Sequence, residues 1–286
     1  MSDLSVVHTT ADIRELVGEW RAAHEVVALV PTMGNLHDGH LSLAQLARKT
    51  ADRVVMSIYV NPTQFGPGED FHAYPRTLAE DRELVESDAT VDALFVPNDA
   101  EVYPFGTEQA VRLVMPGFAN ELCGAIRPGH FDGVSTVVCR LLNIVMPDSV
   151  MLGCKDYQQL KVVERLVADL HLPVEVLSGP TRRHADGLAI SSRNRYLTSD
   201  ERRHAPVLHA TLKDVKAALE AGQVDYQQLE GAALTKLRAE GFKPDYVEVR
   251  QARDLARPNG QHAPGELVVL AAAWLGKTRL IDNLRV

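Results

Sequence analysis

His37-Asp38-Gly39-His40 puts two imidazoles three residues apart around a glycine, soon after an apolar run, Val26–Val30, that stops at Pro31. An imidazole N–H donates hydrogen bonds to phosphate oxygens. Gly34 and Gly39 allow backbone to come close to phosphate. An amphipathic pattern begins at about Leu41, and a helix N-terminus there offers free N–H groups and the positive end of a dipole. Strand, loop, His-x-Gly-His and helix together read as an ATP site. Taken alone, the motif reads equally well as a βα turn with two surface histidines.

Three more segments carry groups suited to the same substrate. Asn61 and Gln64 follow a second apolar run, Val54–Val60. Their neutral amides suit a small polyhydroxy molecule, although Asn-Pro also closes ordinary turns. Gly153-Cys154-Lys155-Asp156 follows a third strand pattern; Lys155 is a mobile point charge for phosphate, and Asp156 is placed to N-cap the next helix. Gln159 falls one turn into that helix. Ser191, Ser192 and Arg193 sit in a polar loop where hydroxyls and a guanidinium can clamp a triphosphate. Arg127 and His130 lead into a strong helix through Gly133. Glu80 and Asp81 offer carboxylates for magnesium, or serve as first-turn acids of a helix. No Ser-His-Asp order is compelling, and the Gly-x-x-x-x-Gly-Lys-Ser loop of P-loop enzymes is missing from the sequence. The histidines are therefore read as stabilisers of phosphate charge.

These groups need a sheet whose strands deliver them to one edge. Val26–Val30, Val54–Val60, Val91–Pro97, Asp148–Gly153 and Val174–Leu177 read as strands, with helices over Leu41–Lys49, Thr77–Ser87, Gly133–Val145 and Tyr157–Leu170. Strands alternating with helices predict an α/β fold with a doubly wound parallel sheet. After about residue 180 the pattern changes: a polar stretch, helices over Ser199–Ala221 and Tyr226–Glu240, then strands at Tyr246–Arg250 and Leu267–Trp274. This predicts two domains, 1–180 and a smaller α+β unit at 181–286.

Apolar residues make up 45% of the 286-residue chain and charged residues 24%, the balance of an ordinary globular enzyme. A net charge of −8 argues against a nucleic-acid partner. The longest apolar run, Leu267–Leu275, is too short to cross a bilayer, and polar Met1–Thr10 has no signal-peptide core. Three widely spaced cysteines show neither metal spacing nor a disulfide framework and suit a reducing cytoplasm.

The blocks Pro31–His40, Asn61–Phe65, Tyr74–Thr77, Arg127–Phe131, Gly133–Val137, Lys155–Gln159, Asp186–Asn194 and Ala272–Gly276 occur in register along nearly the whole chain. Together they resemble the pantothenate synthetase (pantoate–β-alanine ligase) family. The resemblance implies ATP-dependent joining of (R)-pantoate to β-alanine, releasing AMP and pyrophosphate. It also implies a Rossmann-like N-terminal domain, a smaller C-terminal domain that closes over the site, magnesium, a homodimer and a cytoplasmic enzyme. Carried across, it assigns Met33–His40, Gly153–Asp156 and Ile190–Arg193 to the nucleotide, with a contact near Arg182, and assigns Gln64, Gln159 and Asn61 to pantoate. It makes His37, His40, Lys155, Ser192 and Arg193 catalytic, with Asp81 as a metal candidate. Two positions depart from the family pattern: Cys154 where glutamate is usual, and His184 where an acid is common. A nucleotidyltransferase of the same fold and a non-catalytic nucleotide-binding regulator are the competing classes. Neutral Asn61 and Gln64 speak against a phosphate acceptor in the first, and intact histidines, Lys155 and Arg193 speak against the second.

Overall fold

The computed structural model describes residues 4–286; Met1–Asp3, part of the polar opening segment, lie outside the described residues. Six parallel strands form the main sheet: β1 (Ser5–Val7), β2 (Val27–Thr32), β3 (Arg53–Ile58), β4 (Ala93–Phe95), β5 (Ser149–Gly153) and β6 (Glu175–Gly179). Their order is β1-β4-β3-β2-β5-β6. The chain winds outward from β2 through β3, then returns to lay β5 on the other side of β2. The switch point therefore falls between β2 and β5, where open α/β sheets bind ligands beyond the strand ends.

The strands read as continuous apolar runs because both faces are covered. Along β2, Val27 and Leu29 enter one core, while Ala28 and Val30 enter another on the opposite face. Helices α1 (Thr10–Ala22), α6 (His130–Val145) and α7 (Tyr157–Asp169) cover the first face; α2 (Asp38–Ala47) and α3 (Leu78–Asp88) cover the second. Single-turn helices α4 (Asp99–Val102) and α5 (Cys123–Ile126) lie in the long connection between β4 and α6.

Beyond β6, helices α8 (Ser199–His204), α9 (Val207–Glu220) and α10 (Tyr226–Ala239) precede an antiparallel sheet of β7 (Lys243–Gln251), β8 (Leu267–Leu275) and β9 (Thr278–Arg285). Leu267, Val269, Ala271 and Ala273 of β8 pack with α9 and α10, whereas Val268, Leu270 and Ala272 join the core of the main sheet. The apolar run Leu267–Leu275 is thus a central strand buried on both faces up to exposed Trp274.

Three differences from the sequence reading have local causes. The helix expected over Ser199–Ala221 divides at Pro206, because proline has no N–H to continue the ladder. Helix α1, unread in the sequence, carries an Ile13, Val17, Trp20 stripe and an N-cap in which Thr9 accepts from the Asp12 N–H at 3.1 Å. Strand β9 is likewise unread, since buried Asp282 and Asn283 interrupt its apolar alternation.

Candidate active site

The loops after β2, β3 and β5 and the polar segment after β6 enclose a cleft of about 230 Å3. Met33, His37, Gly39, His40, Asn61, Gln64, Gly153, Lys155, Asp156, Gln159, Arg182 and Ile190–Arg193 line it. A second cavity of about 430 Å3 lies against the C-terminal sheet and shares Arg127, His130, Lys155, Asp156, Gln159, Ser191 and Arg193 with the first. The two are lobes of one cleft.

The His-x-Gly-His segment turns out to be the first turn of α2. His37 is its N-cap, and its Nδ1 accepts from the Gly39 N–H at 3.2 Å. That bond leaves the ring proton on Nε2 as the free donor. A Cβ at Gly39 would lie 2.9 Å from the His37 ring, so the glycine between the histidines makes room for the imidazole. The two rings stack with centroids 4.0 Å apart. Burial, then Lys155, pushes His37 down to about 4. Burial, then His37 and Lys155, pushes His40 down to about 3, and its buried Nδ1 has no protein partner. Both rings are neutral at physiological pH and act as N–H donors rather than fixed cations.

Behind this turn the loop is folded by Asp81, whose carboxylate accepts from the N–H groups of Asn35 at 2.9 Å and Leu36 at 2.7 Å. Gly34 (φ 78°) and Asn35 (φ 51°) take the left-handed conformations that this reversal needs. Two sets of candidate residues have other surroundings here. Asp81, a metal candidate from the sequence, is committed to the loop backbone. Gly34, Asn35 and Leu36 are not among the residues that line the cleft, and Asp38 is exposed. Among the described residues no group of three His, Cys, Asp or Glu side chains is placed to hold a metal ion.

Asn61 is buried, and its amide is fully used. Nδ2 donates to Gln64 Oε1 at 3.0 Å and to the Gly133 carbonyl at 3.2 Å; Oδ1 accepts from the Tyr103 hydroxyl at 2.7 Å and the Thr63 hydroxyl at 3.0 Å. Asn61 thus lines the cleft with both amide hydrogens engaged, and in this arrangement it positions Gln64. Gln64 is held at both ends: its Nε2 rests 3.2 Å from Met33 Sδ, and its carbonyl accepts from His130 Nδ1 at 2.8 Å. Burial, then Arg127, pushes His130 down to about 4. Arg127 donates to its other ring nitrogen at 2.9 Å and pairs with Glu69.

Lys155 sits on a single 3-10 turn, Cys154–Asp156, with its ammonium 3.7 Å from the Asp156 carboxylate. Asp156 occupies the N-cap position of α7 without making the side-chain cap expected of it. Cys154 turns its thiol toward the main core, away from the cleft. Ser191 caps the short helix Ser192–Tyr196, and Arg193 reaches Asp70 at 3.5 Å. Gly133, read in the sequence as part of the lead-in to a helix, also has a packing role. A Cβ at Gly133 would lie 2.3 Å from the Thr63 carbonyl oxygen, so α6 and the Gln64 turn touch backbone to backbone. A glycine inside a strongly apolar helix pattern was the available signal.

The pantoate-beta-alanine ligase family profile matches residues 5–285. The chain belongs to the pantoate–β-alanine ligase family. It is similar to a pantothenate synthetase of Alkalilimnicola ehrlichii, with 52% identity over 97% of this chain and 96% of the relative. The solved pantothenate synthetase of Thermus thermophilus superposes with a TM-score of 0.89 at 44% identity, covering 98% of this chain and 99% of that one. A pantoate-beta-alanine ligase of Francisella tularensis, solved with beta-gamma ATP and beta-alanine, superposes with a TM-score of 0.80 at 32% identity over 99% and 97% of the two chains. Ligases of this family thus share the whole length of the chain, including the antiparallel sheet.

Proposed function

We propose that this ligase joins (R)-pantoate to β-alanine through a pantoyl adenylate formed in the cleft beyond β2, β3 and β5. The observation that carries the reading is convergence: His37, His40, Lys155 and Arg193, from three separate loops, line the same cleft as Gln64 and Gln159. The imidazoles and cations suit phosphates, and the two amides suit a hydroxy acid.

Pantoate's carboxylate is already a nucleophile, so the first step needs alignment and charge stabilisation more than a base. Gln64 and Gln159 hold pantoate through neutral amides. A carboxylate oxygen attacks the α-phosphorus of ATP, and the bond to pyrophosphate breaks. Lys155, Ser192 and Arg193, with N–H donors from His37 and His40, meet the charge that develops on the phosphoryl oxygens. The β-alanine amine then attacks the acyl carbon, loses a proton, and AMP leaves. Residues 181–286 act as a lid that keeps water from the adenylate. Magnesium enters with the ATP phosphates, since the described residues form no cage for it.

A homodimer is supported by Phe105, Val111 and Val114, which are 81%, 80% and 78% exposed along one short segment. No helix is long and apolar enough to cross a membrane. We place the reaction in the cytoplasm, where three unpaired cysteines stay reduced. The deciding experiment is exchange of labelled pyrophosphate into ATP without β-alanine. Exchange that depends on pantoate supports the adenylate; exchange that strictly requires β-alanine rejects the two-step path.

A further inference from the structure

Asp282 and Asn283, adjacent on β9, are 5% and 6% exposed and have no part in the chemistry above. Successive strand residues face opposite ways, and these two reach different active-site loops. Asn283 Nδ2 donates to the carbonyl oxygens of Cys154 at 2.8 Å and Lys155 at 2.9 Å, using both of its amide hydrogens. The backbone under Lys155 therefore hangs from the C-terminal sheet. Asp282 accepts two parallel bonds from Arg183, at 2.7 and 2.8 Å. Arg183 also donates to the Gly187 carbonyl at 3.0 Å and bridges to Ala189, while the Ile190 N–H closes on the Arg182 carbonyl at 2.9 Å. This small closed loop runs straight into Ser191–Arg193. His209 of α9 stands 3.3 Å from the same carboxylate.

We propose that Asp282 and Asn283 form a brace that sets the spacing between the Lys155 loop and the Ser192–Arg193 loop, so that both arms meet the reacting phosphates together. The proposal rests on reading Lys155 and Arg193 as phosphate-binding groups. Its physical basis is that the Asp156 side chain makes no cap bond to the Lys155 turn, whereas Asn283 ties two of its carbonyls. A lysine head on a four-carbon stem is placed only as well as its backbone. The brace acts from a sheet more than a hundred residues further along the chain, so the unit read as a lid also orders the catalytic groups.

The test is a mutant cycle read by single-turnover adenylate formation, with thermal unfolding followed for every variant. Asn283→Ala should slow adenylation about ten- to a hundredfold, the usual cost of displacing a catalytic group by about 1 Å, with pantoate KM unchanged. In a Lys155→Ala background the same change should add nothing. Arg183→Lys should couple to Arg193→Ala in the same way, because lysine cannot make the paired bonds to Asp282. Asn283→Asp keeps the volume but sets a carboxylate against two carbonyls. It should be slow at neutral pH and recover relative to wild type on acidification, when the carboxyl regains one donor. If Asn283→Ala melts early, that pH profile carries the test. Multiplicative losses in the double variants, or wild-type adenylation in both Asn283 variants, overturn the brace while leaving Lys155 in place. Wild-type adenylation in Lys155→Ala overturns the phosphate reading itself, and the brace with it.

Discussion

Adding one methyl group at Gly133 should separate pantoate recognition from nucleotide recognition. The new Cβ would lie 2.3 Å from the Thr63 carbonyl oxygen and 2.6 Å from Gln64 Cα. Ordinary contact begins near 3.4 Å, so one partner must retreat by roughly 1 Å. Helix α6 is buried along most of its length, whereas Pro62–Gln64 is a single turn. The turn moves, and Gln64 moves with it. Three restraints are disturbed: the Asn61 bond to the Gly133 carbonyl, the His130 bond to the Gln64 carbonyl, and the Gln64 contact with Met33. Overpacking of this kind costs about 1–3 kcal/mol of stability, or roughly 2–4 °C in Tm per kcal/mol near this size. A 1 Å displacement of a positioning group costs about a hundredfold in kcat/KM for pantoate. Calorimetric titrations of Gly133→Ala with pantoate and with ATP, beside a thermal melt, should show weak pantoate binding, near-normal ATP binding and a lower Tm. Gly18→Ala is the control, because its Cβ meets nothing within 4 Å and a helical alanine stabilises by about 0.5–1 kcal/mol. Unchanged pantoate affinity and an unchanged melt in Gly133→Ala would refute the backbone contact as a determinant of the Gln64 position.

His40→Ala and Lys155→Ala should each slow adenylate formation by about a hundred- to a thousandfold, the range for loss of one preorganised donor; quench-flow reads this, and a near-normal first step removes that residue from the mechanism. His37 and His130, held near 4, and His40, held near 3, bind fewer protons when folded than when unfolded. Stability should thus be full above about pH 6.5 and decline as pH falls toward 4; urea midpoints at pH 7 and pH 5 measure it, and an equal or higher midpoint at pH 5 contradicts neutral buried rings. Cys154→Ser should keep most of its turnover, because the thiol faces the core and only the backbone carbonyl serves the Lys155 turn; a hundredfold loss in pantothenate formation would make the thiol a participant.

The parallel sheet was legible in the sequence because β-branched runs buried on both faces carry their own signature, as in Val27–Val30 between two cores. The cleft residues were legible for a related reason. A strand end delivers whatever follows it to one edge of the sheet, so His37, Gln64 and Lys155 could be grouped without knowing any distance. Roles that depend on neighbours far along the chain were not legible. Asp81 is a first-turn acid of α3, as its position suggests, but only the fold brings the Asn35 and Leu36 N–H groups onto it. That Tyr103, Gly133 and Gln64 share the Asn61 amide is visible only in the fold. The histidines read as stabilisers of phosphate charge, but that they stay neutral follows only from burial and a nearby lysine. Asn283 looks like a break in a strand until its two hydrogens reach Cys154 and Lys155. Periodicity and turn chemistry act between residues a few positions apart and leave a local trace. Desolvation and hydrogen-bond saturation depend on which distant segments converge, and only the folded chain decides that.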